Sequence, residues 1–115
     1  MTAHNYFLEI CEAIPDAKKG AMFGWECYKC GTKPFAFFDR NTEAAVAFKL
    51  SGEVYNEALA LPDSEIFNPA DKGKPMKNWV VVSFAQKSYW ACFAMAAFEE
   101  VLKEPIKIKA KNGKK

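Results

Sequence analysis

Apolar residues recur along this chain with two different periods, and the places where the period changes predict its elements. Phe7, Ile10, Cys11 and Ile14 follow the spacing of one face of an amphipathic helix, which Pro15 terminates. From Met22 to Tyr28 the run Met-Phe-Gly-Trp-Glu-Cys-Tyr reads as a strand apolar enough to be central. Gly31 marks a turn, and Pro34-Phe35-Ala36-Phe37-Phe38 supplies the returning strand of a hairpin. Asp39-Arg40-Asn41 has turn chemistry, and Ala45 to Leu50 makes a third strand, completing a meander.

The second half changes period twice more. Ser51 is suited to cap a short helix with the stripe Val54, Tyr55, Ala58 and Leu59, stopped by Pro62. Ile66-Phe67-Asn68-Pro69 is a short extended piece, Asp71 to Pro75 is a loop punctuated by Gly73 and Pro75, and Asn78 to Phe84 is a strand. Trp90, Phe93, Ala94, Ala97, Phe98, Val101 and Leu102 give the longest helical stripe, ended by Pro105. The order is therefore α-β-β-β-α-β-β-α. Hairpin-linked strands followed by helices predict the α+β class: a single two-layer domain over residues 1–104, with an antiparallel sheet and helices packed on one face. Residues 105–115 form a lysine-rich C-terminal tail.

Composition narrows the class further. The 115 residues suffice for one core, and with 10 Phe, 4 Tyr and 3 Trp that core is expected to be aromatic. No apolar run reaches the length of a membrane span. Glu9, Glu12 and Asp16 stand where a signal peptide needs a basic and then an apolar region, so the expected location is cytoplasmic. Cys11, Cys27, Cys30 and Cys92 are then expected to be reduced. Charge is uneven: residues 1–67 carry 6 basic and 10 acidic side chains, whereas residues 68–115 carry 10 and 4. A lone arginine, Arg40, argues against sequence-specific reading of bases, which leans on the guanidinium fork.

The Met22-Phe23-Gly24 strand, the Gly31-Thr32-Lys33-Pro34-Phe35 hairpin and the Val46-to-Leu50 strand come in an order met elsewhere. So do the helix after Leu50, the Phe67 piece and the Lys72-Gly73-Lys74-Pro75 loop before an aromatic-led strand. On these residues, 18–84, the chain resembles the N-terminal domain of TfoX-type competence regulators, with YjbR-like domains as the second choice. Trp25 departs from the glycine common after Met-Phe-Gly, and Trp79 stands where a tyrosine is frequent. The resemblance implies a two-layer α-β(3)-α-β(2)-α domain without agreed catalytic activity, associated with switching on DNA-uptake genes.

Candidate chemistry is sparse. Cys27-Tyr28-Lys29-Cys30-Gly31 begins as a zinc knuckle does, but no second pair follows to complete four ligands. It precedes a strand, unlike the helix-opening dithiol of redox enzymes, and replacing both cysteines by serine is expected to leave the fold intact. His4, the only histidine, lies in a terminal segment expected to fray. No catalytic residue, cofactor or metal ligand is assigned. Lys72, Lys74, Lys77 and Lys87 are candidates for anion or nucleic-acid contact, joined by the tail. Trp25, Tyr28, Trp79 and Tyr89 are candidates for an exposed interaction surface.

The expected function is that of a regulatory or adaptor domain working through protein–protein contacts, and a homodimer is expected because a one-sided sheet rich in aromatics buries its leftover apolar surface against a second copy. Two alternatives stand beside it: weakly sequence-selective nucleic-acid binding through the basic loop and tail, and a small-ligand pocket between sheet and helices.

Overall fold

The structure is a computed structural model and describes residues 2–22, 24–68 and 77–103. Helix α1 (Ala3–Glu12) starts where the Thr2 hydroxyl accepts a hydrogen bond from the Asn5 backbone N–H at 3.0 Å. That bond satisfies one of the orphan donors of the first turn. Four strands follow: β1 (Ala17–Met22), β2 (Trp25–Cys30), β3 (Lys33–Phe38) and β4 (Ala45–Lys49). Helix α2 (Gly52–Leu59) leads to the two-residue β5 (Glu65–Ile66) and to β6 (Trp79–Ser83). A 3-10 turn over Phe84–Tyr89 then feeds α3 (Trp90–Lys103). The strands form one antiparallel sheet in the order β1-β2-β3-β4-β6-β5.

The class and the two-layer arrangement are those the sequence predicts. The element order gains one strand, because β1 lies over Ala17–Met22, where no apolar alternation marks it. Lys18, Lys19 and Gly20 suit an edge strand, where charge discourages pairing with another chain. Met22 pairs with Trp25, so the tight turn at Gly24 (φ 78°) cuts the expected Met22–Tyr28 strand in two. Ser51 does occupy the cap position of α2, but its hydroxyl makes no capping bond.

All three helices contribute to a core on one face of the sheet. Phe7, Ile10 and Cys11 of α1, Ala58 of α2 and Trp90, Phe93, Ala97 and Val101 of α3 meet Tyr28, Ala36, Phe38, Val46, Phe48, Val80 and Val82. The alternate strand positions Trp25, Cys27, Phe37, Ala47 and Trp79 point to the other face and cluster with Phe67. One irregularity serves the first core. Between the Tyr28–Ala36 and Lys29–Pro34 pairs, β3 carries an extra residue, Phe35, a bulge that turns this ring toward the helices. There it meets Phe98 edge-on at 5.4 Å.

Leu102, expected on the buried stripe of the last helix, is instead 64% exposed. At about 100° per residue it stands a full step off Val101, beyond the edge of the buried stripe. No helix among the described residues is long and apolar enough to cross a membrane.

Candidate functional site

The aromatic candidates fare unequally. Trp25, Tyr28 and Trp79 are buried at 6%, 1% and 6% exposure, so they form no stacking platform. Strand alternation sends Tyr28 into the helix-side core, where its hydroxyl donates to Glu12 Oε2 at 2.9 Å. Burial first, and that hydrogen bond second, push the phenol pKa well above its ordinary 10.0. Trp25 and Trp79 pack against Phe67, which β5 returns over Phe37 at a centroid distance of 5.5 Å. The apolar surface expected to seal a homodimer is therefore covered from within the chain. Only Tyr89 stays open, 38% exposed and stacked on Phe93 at 5.6 Å.

Lys72, Lys74 and the tail lie outside the described residues. Lys77 and Lys87 are exposed, and the Lys87 ammonium sits 5.2 Å from the centre of the Phe84 ring, a cation–π contact. The two cysteines of the C-x-x-C motif do not converge. Cys27 is buried in the far-face cluster, whereas Cys30 packs against the helix-side core. Three steps along a strand reverse the side-chain direction, so the pair cannot grip one metal. Burial raises both thiol pKa values above the ordinary 9.0, which keeps the nucleophilic thiolate scarce at neutral pH. No group of three metal-ligating side chains occurs among the described residues.

Two surfaces emerge that the sequence did not mark. The first is the outer side of α3. Met95 is 41% exposed and Leu102 64%, and helical spacing puts them with Ala91 on one line. Beyond Glu99 lies a groove of about 200 Å³ between α2 and α3, lined by Leu50, Val54, Ala96 and Lys103 among others.

The second surface is a corner where α1 crosses the first hairpin. His4 is not frayed but half-buried in the first turn of α1. Its Nε2 bonds Glu26 Oε1 at 2.7 Å, and its ring meets Phe38 edge-on at 5.0 Å. Lys19 Nζ pairs with Glu26 Oε2 at 3.1 Å. Desolvation tends to raise the Glu26 pKa, but the His4 bond and the Lys19 ammonium outweigh it and hold the carboxyl below its usual value. From the β3–β4 loop, Arg40 Nη1 donates to the Gly24 carbonyl at 3.1 Å. The signals that could have located this corner were the single arginine in an Asx-type turn and the glycine of the preceding hairpin.

No family model, curated protein or solved structure matches this chain.

Proposed function

We propose that this chain is a non-catalytic regulatory or adaptor domain of the TfoX N-terminal type, cytoplasmic, which binds a protein partner on the outer side of α3. The exposed Met95 and Leu102 carry this reading. Leaving two large apolar side chains in water on one line of a helix, while the cores are filled largely by aromatic rings, has a ready use in partner binding. Glu99 between this line and the α2–α3 groove favours a partner with an apolar ridge flanked by a basic side chain. The order of elements from β2 to β6 supports the family reading and, with it, a setting in transcriptional or DNA-uptake control.

A photo-crosslinking amino acid placed at position 95 or 102 tests it in the native cell. Both positions are expected to capture the same protein, and Asn56, on the exposed side of α2, none. Combining Met95→Lys with Leu102→Lys is expected to abolish binding of that protein while the fold persists. Salt-sensitive binding of labelled DNA, measured by fluorescence anisotropy, with no adduct at either position, would replace this reading by nucleic-acid binding through a basic surface.

A further inference from the structure

The corner beneath α1 holds a cleft of about 390 Å³, lined by His4, Gly24, Glu26, Phe38, Arg40 and Glu43. Its charges fall into two kinds. Glu26 is already matched by His4 and Lys19. Arg40 and Glu43 are not: Arg40 spends one donor on the Gly24 carbonyl, and neither side chain forms an ion pair among the described residues. The cleft thus offers one unmatched cation and one unmatched carboxylate on a loop that also holds itself rigid. Asp39 accepts from the backbone N–H groups of Asn41 and Thr42 and from the Thr42 hydroxyl, and Thr42 accepts in turn from Ala44 N–H.

Arg40 and Glu43 are both exposed, and the backbone is specialised at the glycine facing the first and at the second itself. Gly24 has φ 78°, and a Cβ there would stand 2.7 Å from Arg40 Nη1, so the glycine makes room for the guanidinium. Glu43 has φ 55°. The other non-glycine residues with positive φ among the described residues are Asp16, Asp63 and Asn78, types that tolerate this region. Glutamate does not favour it, and such strain clusters at ligand clamps. The strained residue is the one that supplies the unmatched carboxylate.

From this arrangement we infer that the cleft binds a small zwitterion of the free α-amino-acid class. Its carboxylate meets the open donors of Arg40, and its ammonium meets Glu43. An apolar side chain lies toward the Phe38 and His4 rings. This site is separate from the α3 surface, and neither reading depends on the other.

The test uses L-leucine and its two half-molecules: 4-methylpentanoate, which lacks the ammonium, and isoamylamine, which lacks the carboxylate. In amide-resolved NMR titrations of the full chain, leucine is expected to shift Gly24 and residues 40–44 with a Kd of about 1 mM. Each half-molecule is expected to bind at least about tenfold more weakly, since each loses one charged contact. Arg40→Ala removes binding. Glu43→Gly also removes it, yet leaves the melting temperature unchanged or higher, because glycine relieves the backbone. Equal binding of 4-methylpentanoate and leucine, unaltered leucine binding by Glu43→Gly, or no shift of these amides at about 20 mM leucine would each overturn the assignment.

Discussion

The two faces of the sheet are built on opposite plans. On the helix side, α1, α2, α3 and strands β2, β3, β4 and β6 each give side chains to one closed core. On the far side, Trp25, Phe37 and Trp79 gather with Phe67, Cys27 and Ala47 into a second, smaller cluster, against which Met22 and Val81 pack. Both clusters are buried, but they respond differently to loss. A closed core keeps the shape of whatever is removed, so truncation leaves a cavity. A smaller cluster, to which no helix contributes among the described residues, relaxes more readily or admits water, so truncation mainly costs exposure.

The sharpest contrast is expected from Trp90→Ala. Trp90 is fully buried, meets Phe48, Phe84 and Tyr6, and donates its indole N–H to the Ser83 carbonyl at 3.2 Å. Its removal is expected to cost about 3–5 kcal/mol in urea denaturation, a large part of a typical domain's stability. Phe67→Ala is expected to cost less, about 2–3 kcal/mol, and to red-shift the emission of Trp25 and Trp79 without disturbing the helix-side amides. If the two variants prove equal, the far-side cluster is a second closed core and the contrast fails.

The same difference explains what could be read in the chain beforehand. The stripes of α1 and α3 and strands β3, β4 and β6 show because local period and burial coincide there. Strand β1 does not show: Lys18-Lys19-Gly20 becomes extended only because β2 offers it an edge. The burial of Trp25 and Trp79 is equally invisible, since it depends on Phe67 pairing back along β6 through its backbone bond to the Trp79 carbonyl. The candidate sites suffer most. His4 and Glu26 are 22 positions apart and meet only because α1 crosses the hairpin, and no spacing rule reports that. Leu102 fits the apolar period yet escapes the core, because period describes an angle and not the extent of the surface opposite.

A smaller effect separates the two cysteines of the same strand. Cys27 is fully buried among rings, so Cys27→Ser places a hydroxyl in an apolar cluster and is expected to cost about 1–3 kcal/mol. Cys30→Ser, at a half-buried strand end, is expected to change stability by no more than about 0.5 kcal/mol. The double replacement is thus not neutral, and Cys27 accounts for the loss. Thermal denaturation of the three variants checks the split. A chelator is expected to leave the wild-type midpoint unmoved, and a large drop would reinstate a metal between the faces.

The smallest expected effect lies on the polar rim of the helix side. Glu26 is stabilised as a carboxylate in the folded chain by His4 and Lys19, so its folded pKa lies below the ordinary 4.5 of the unfolded chain. The unfolded state then binds the proton more readily. The stabilisation is complete above 4.5 and is lost as pH falls through the lower, folded value. Glu26→Gln is expected to flatten this part of the acid arm in a series of denaturation curves, and His4→Ala to flatten it in part, since Lys19 remains. Cys27→Ala, on the opposite face, is expected to shift the whole curve without changing its slope there. If the Cys27 variant flattened the acid arm as well, the carboxylate would be coupled through the sheet, and the two faces would respond to pH as one body.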